Sequence, residues 1–190
     1  YTPTTSRFTE TKRIFQKEYF SPLIETQMNR CVQCLRCVRY CDEVMDVKAL
    51  APVGRGTMTE IKHFGAHPLD CEFCGECVEI CPVGALTTKQ FKFKGRTWNL
   101  ERIASVCNYC GCGCRTSFET RLGRIVRVKS AAKNYLCSKG RFGWDYISSK
   151  DRLKTPMIRE GSTWKPIAWD EAIKVIDTFG LDAIRTKELA

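Results

Sequence analysis

The sequence has no apolar run approaching the roughly 18 residues of a membrane span, so no segment is expected to cross a bilayer. Only two histidines occur among 190 residues. No Ser–His–Asp or Cys–His constellation stands out, which leaves hydrolytic and nucleophilic catalysis without candidates. No G-x-G-x-x-G follows a strand pattern and no P-loop is present, so no NAD, flavin or nucleotide site is expected in this chain. A charged, apolar, small-residue leader is also missing, and export is therefore not expected. What the chain has in excess is cysteine, 13 in all. An odd count cannot pair completely, and without a leader disulfides are the weaker reading. Thiolate-bound metal in a reducing cytoplasm is the stronger one.

Eight of the cysteines form a repeat. Cys31, Cys34, Cys37 and Cys41 recur forty residues later as Cys71, Cys74, Cys77 and Cys81, with every spacing kept. Each run reads C-x2-C-x2-C-x3-C, and Pro82 follows the second, whereas Asp42 follows the first. That is the ligand run of two-cluster bacterial ferredoxins, in which the last cysteine of each run serves the other cluster. By that rule Cys31, Cys34, Cys37 and Cys81 hold one [4Fe-4S] cluster, and Cys41, Cys71, Cys74 and Cys77 a second. Structural zinc would more often pair two C-x2-C knuckles. A third set, Cys107, Cys110, Cys114 and Cys137, is less specific by spacing, and zinc competes with iron–sulfur there. Cys112, between Gly111 and Gly113, is read as a bystander thiol. His63 and His67, in the stretch between the cysteine runs, are weighed as ligands and set aside as structural or solvated.

The formal charge of +10 counts thiols as neutral, but metal ligands are deprotonated. A four-iron, four-sulfur core held by four thiolates carries about −2, so three clusters bring the balance to roughly +4. No nucleic-acid motif accompanies the basic excess, and no nucleic-acid partner is expected. Arg36, Arg39 and Lys139 stand beside cysteines and are candidates for raising cluster potentials.

Local patterns place a short helical piece at Phe15–Phe20, stopped by Ser21-Pro22. A helix is expected at Glu43–Leu50, a turn at Val53–Gly56 and a strand at Thr57–Ile61. The alternation of Phe91 and Phe93 suggests an edge strand. Arg115–Thr120 and Arg124–Lys129 flank Arg121-Leu122-Gly123 as a hairpin, and a second hairpin is expected around Met157–Ile158, Gly161-Ser162 and Trp164. Trp169, Ala172, Ile173, Ile176 and Phe179 recur at helical spacing, with Asp170 and Glu171 in the first turn. That stripe is read as core. Tyr1 in place of Met, and a last helix that has just begun, read as cuts in something longer.

Several runs carry a family resemblance: Met28-Asn29-Arg30-Cys31, Cys37-Val38-Arg39, Gly54-Arg55-Gly56, Cys81-Pro82-Val83-Gly84-Ala85-Leu86, Asn108-Tyr109-Cys110-Gly111 with Cys114, Cys137-Ser138-Lys139-Gly140-Arg141-Phe142-Gly143, and Trp169-Asp170-Glu171-Ala172. Over nearly its whole length the chain resembles the large iron–sulfur subunit of NADH:quinone oxidoreductase (respiratory complex I). It is also similar to the alpha subunit of NAD-linked formate dehydrogenases. Arg7-Phe8, Lys12-Arg13, Pro22-Leu23, Phe91 and Trp98 lean toward the first. The additional set Cys41, Cys71, Cys74 and Cys77 leans toward the second or toward hydrogenase-linked relatives.

The resemblance implies an α+β chain: a two-cluster ferredoxin-like module, then a small β-rich iron–sulfur domain of the molybdopterin-oxidoreductase family. The expected divisions are an extended lead-in at 1–29, the module at 30–87, a linker at 88–102, the iron–sulfur domain at 103–160 and the start of an α/β domain at 161–190. Cys107, Cys110, Cys114 and Cys137 become the ligands of a third [4Fe-4S] cluster. Lys139 becomes a candidate relay or pterin contact. Molybdopterin itself would belong to a domain further along. The implied role is an electron relay in an NADH-linked oxidoreductase complex, with no substrate-converting site in this chain. Its partners would be a flavin- and NADH-binding subunit and other iron–sulfur subunits, in the cytoplasm or peripheral to the inner membrane. The remote alternative is a zinc-bound scaffold.

Overall fold

The computed structural model of the chain describes residues 8–9, 13–64, 68–131 and 135–186, with side chains through 178. Residues 1–144 and 145–190 form two compact units.

In the first unit, Ser21 brackets a turn ahead of the first strand. Its hydroxyl accepts from the Ile24 amide at 2.8 Å and donates to the Ile24 carbonyl at 3.0 Å. Strand β1 (Ile24–Thr26) follows and pairs antiparallel with β4 (Leu86–Thr88), which joins the two ends of the cysteine repeat. Between them lie α1 (Arg36–Arg39), the hairpin of β2 (Leu50–Val53) with β3 (Glu60–His63), and α2 (Glu76–Ile80). The core of this part is Phe20, Ile24, Met28, Leu50, Ile61 and Leu86, packed directly against Cys31 and Cys37. So small a core is what a module braced by metal–thiolate bonds requires.

The repeat is written in the backbone as well. Gln33 and its repeat-mate Phe73 have φ of 56° and 53°, and Leu35 and its mate Gly75 have φ of 57° and 75°. These left-handed residues turn the chain around each cysteine loop, a conformation costly for side-chain-bearing residues.

The helices lie earlier than expected. Arg36–Arg39 runs on as a π-helical turn at Tyr40–Val44, closed by the Met45 amide on the Tyr40 carbonyl at 3.0 Å. The expected helix at Glu43–Leu50 is not there: Asp46 and Lys48 both take left-handed φ, which breaks helical hydrogen bonding. Phe15–Phe20 is not helical either. The edge strand expected at Phe91 and Phe93 is a run of turns, with Phe93 at φ 62°. The strand expected at Thr57–Ile61 is confined to Glu60–His63, after a 3-10 turn at Gly56–Met58.

The remainder of the unit is a three-stranded antiparallel sheet, β5 (Glu101–Val106), β6 (Arg115–Arg121) and β7 (Arg124–Ser130), in that order. The β6–β7 hairpin forms where expected, and Leu122 and Gly123 both have positive φ, as a tight two-residue turn demands. β5 has no counterpart in the local patterns, because most of its residues are exposed and no buried alternation marks it. Helix α3 (Ser138–Phe142) then follows Cys137 directly.

In the second unit, β8 (Met157–Glu160) and β9 (Thr163–Pro166) make the expected hairpin, and α4 spans Trp169–Thr186. The apolar stripe of α4 is not core among the described side chains. Trp169, Ile173 and Ile176 are 68%, 53% and 64% exposed, because the hairpin of this unit does not cover them. Among the described residues no helix is long and apolar enough to cross a membrane.

Candidate metal centre

The two cysteine runs are folded through one another. Cys31, Cys34, Cys37 and Cys81 line one cavity, together with Met28, Ile61 and Leu86. Cys41, Cys71, Cys74 and Cys77 line a second, with Ile24, Tyr40 and Leu69. The exchange of the last cysteine follows from the elements. Cys37 on α1 lines the first cavity and Cys41, on its π extension, the second, while Cys81 leaves α2 toward β4 beside the first run. Among the described residues no group of three or more His, Cys, Asp or Glu side chains is gathered closely enough for a single metal ion. The thiols stand around cavities instead.

Backbone amides already point at sulfur. Gln33 and Phe73 each donate to the thiol two residues before them, Cys31 and Cys71, at 3.4 Å, and Ala85 donates to Cys81 at 3.2 Å. Such bonds stabilise thiolate and tune an iron–sulfur group. Burial works against ionisation: it pushes the Cys37 thiol up to about 11, raises Cys71 and Cys74, and drives Cys77 well above its ordinary value. Neighbouring thiols raise these four further, and metal ligation, which requires the thiolate, works against that shift. Soft, crowded thiolates with amide donors fit an iron–sulfur group.

The third set is built on the sheet. The Cys107 amide bonds the Cys114 carbonyl at 2.8 Å, closing a loop between β5 and β6. α3 carries Cys137 to the same loop: a methyl group on Gly140 would stand 3.5 Å from the Cys107 sulfur. The amide and thiol of Cys112 hold the Cys110 thiol below its ordinary value, helped by the Lys139 charge. Cys112 therefore acts on Cys110 within the loop. Lys139 is exposed at the start of α3, and Arg39 is paired with Glu43 at 2.9 Å. His63 packs against Phe20 with the rings tilted and their centroids 5.5 Å apart, in keeping with a structural role. His67 lies outside the described residues.

Arg141 lies in the run after Cys137 and has no role read from the sequence, yet it joins two of the sets. It is 5% exposed. Its Nε donates to the Cys74 carbonyl at 2.7 Å, and its terminal nitrogens bond Glu76 and Glu79 of α2. Nearby, Tyr40 meets Tyr135 edge-on with centroids 6.2 Å apart, and burial lifts the Tyr40 phenol to about 12. Both contacts link residues far apart in sequence, which no local pattern records.

Residues 21–87 match the ferredoxin-like domain of NADH-quinone oxidoreductase subunit 3, and residues 100–149 match the molybdopterin oxidoreductase Fe4S4 domain. The chain is thus built of two iron–sulfur domains, mixing helices and strands. It is 42% identical over 179 residues to the G 2 subunit of NADH-quinone oxidoreductase from Rhizobium meliloti, covering 90% of this chain and 21% of that protein. With the alpha subunit of the NADPH-Fe(3+) oxidoreductase of Geobacter sulfurreducens it shares 40% identity over 174 residues, 87% of this chain and 21% of the relative. With the G-type NADH-quinone oxidoreductase subunit of Rickettsia bellii it shares 34% over 177 residues, 90% and 26% respectively. The chain thus combines these two iron–sulfur domains and is similar, over most of its length, to part of G-type subunits of NADH-quinone oxidoreductase. It spans between 21% and 26% of the length of these relatives.

Proposed function

We propose that the chain is an electron relay carrying three [4Fe-4S] clusters within a multi-subunit NADH-linked oxidoreductase of the NADH:quinone type. Cys31, Cys34, Cys37 and Cys81 hold the first cluster, Cys41, Cys71, Cys74 and Cys77 the second, and Cys107, Cys110, Cys114 and Cys137 the third. The observation that carries this reading is the pair of cavities, each lined by four cysteines in the crossed-over grouping. When bound, the clusters supply one-electron transfer without bond making or breaking. The chain's own residues hold that chemistry in place. The amides of Gln33, Phe73 and Ala85 stabilise charge on sulfur, and Phe20, Ile24, Met28 and Leu86 keep water from the first two sites. Lys139 offsets negative charge at the third site and is a candidate relay or pterin contact if a pterin-binding domain adjoins it.

The division follows the same lines: a two-cluster module at 30–87, a linker at 88–102, a β-rich iron–sulfur domain at 103–160, and the start of a further domain at 161–190 after a lead-in at 1–29. Partners would be a flavin- and NADH-binding subunit and further iron–sulfur subunits, at the cytoplasmic face of the membrane or in the cytoplasm. A second reading, a relay in a formate dehydrogenase or hydrogenase complex, is favoured by two observations. The second set of four cysteines is complete, and the relatives include an NADPH-Fe(3+) oxidoreductase alpha subunit. The test is spectroscopic. The purified chain should be brown, bleach near 400 nm with dithionite and show paramagnetic signals on reduction. A colourless protein containing zinc would instead make it a scaffold between subunits.

A further inference from the structure

We infer that Arg141 is a positioning residue for electron transfer, tying the third cysteine set to the second and favouring the reduced form of the second cluster. The inference rests on the three-cluster reading. Helix α3 has only five residues, and it addresses both sites. Gly140 faces the Cys107 sulfur. The next two residues belong to the other side. Arg141 bonds the Cys74 carbonyl, and the Phe142 ring lies against Gly75. From Cys137 the route to the second site is therefore four residues of one short helix and a single hydrogen bond.

The charges around this contact close on themselves. Glu76 and Glu79 are paired by Arg141, and Lys129 lies 3.6 Å from the second carboxylate oxygen of Glu79. Two positive charges thus balance two negative ones beside the second site. An apolar side chain would pin α3 to α2 at least as well, since buried ion pairs are weak evidence for stability. A cation serves a different end. When one electron passes to the second cluster from a neighbouring one, no bond changes and one negative charge is added. Arg141 favours that state, while Glu76 and Glu79 oppose it. Removing Arg141 leaves a net negative charge beside the cluster and makes it harder to reduce.

The experiment is a dithionite redox titration of the cluster-loaded full chain, followed by paramagnetic resonance. The second-cluster signal is identified as the one that Cys74→Ala removes. Arg141→Gln should weaken reduction of that cluster about tenfold, a fall of about 59 mV for one electron, and move the third-cluster midpoint less. Arg141→Gln with Glu76→Gln restores the charge balance and should return the midpoint toward wild type. Should Arg141→Gln fail to retain the cluster, the double variant decides: retention with a near-native midpoint supports the inference, and loss there too overturns it. An unchanged midpoint in Arg141→Gln, or a double variant no nearer wild type, reduces Arg141 to a packing pin. A wild-type chain lacking the signal would instead overturn the three-cluster reading itself.

Discussion

At the scale of single residues, the account turns on sulfur and on the few side chains that touch its loops. Cys74→Ala should remove the cluster shared with Cys41, Cys71 and Cys77 and leave that of Cys31, lowering iron from about twelve to about eight per chain. Metal analysis with spin counting checks this, and equal loss of both signals would contradict separable sites. Gly75 gives a second prediction. It has φ of 75°, and a methyl group there would collide with the Arg141 stem. Gly75→Ala should therefore cost about 1–2 kcal/mol from backbone strain alone, read as a lower melting temperature, with more lost if Arg141 is displaced. The cysteines were legible in the sequence because cluster ligation constrains spacing within a few residues. Arg141 was not, because Glu76 and Glu79 lie more than sixty positions away and the contact exists only once α3 has docked.

At the scale of elements, what local pattern could reveal depended on whether an element answers to its own sequence. The β6–β7 hairpin does: its turn needs positive φ at Leu122 and Gly123, and Gly123 supplies it freely. The helix of the first cysteine loop does not. It is set by the wrapping of the loop, which starts it at Arg36 through left-handed Leu35 and ends it in a π turn around Cys41. The stripe of α4 has helical period as expected, but period says only that a face is apolar, not that something covers it. In the sheet, Glu119 is fully buried and is held by Arg127, which also stacks over Phe91 at 4.2 Å. Arg127→Ala leaves that carboxylate with only Arg102, 3.4 Å away, and should destabilise the sheet by about 1–3 kcal/mol. Thermal unfolding measures it, and Arg127→Ala with Glu119→Gln should recover part of the loss. β1 offers a pH test. The hydrogen bond from Lys92, with the nearby Lys17 charge, holds the Glu25 carboxyl below its ordinary value of 4.5. A carboxyl lowered on folding stabilises above its unfolded value and loses that contribution as pH falls through the lowered one. Amide exchange at Ile24–Thr26 should therefore quicken, after correction for intrinsic rates, as pH drops from about 5 to about 3. Glu25→Gln should flatten that dependence, and an unchanged profile would contradict the assignment.

At the scale of the whole molecule, charge and core size point the same way. A formal +10 more than offsets the negative charge that three clusters would bring. A core that includes Cys31 and Cys37 among its buried residues is incomplete until metal binds. Metal removal should therefore cost the first unit much of its structure, visible as lost helical circular dichroism and faster proteolysis within residues 30–87, as expected where binding energy is folding energy. The most direct test of the central claim is the content of iron and acid-labile sulfide per intact chain. The account predicts about twelve of each and no zinc, from three cubane clusters on twelve of the thirteen cysteines. About eight of each, or zinc without labile sulfide, would contradict it.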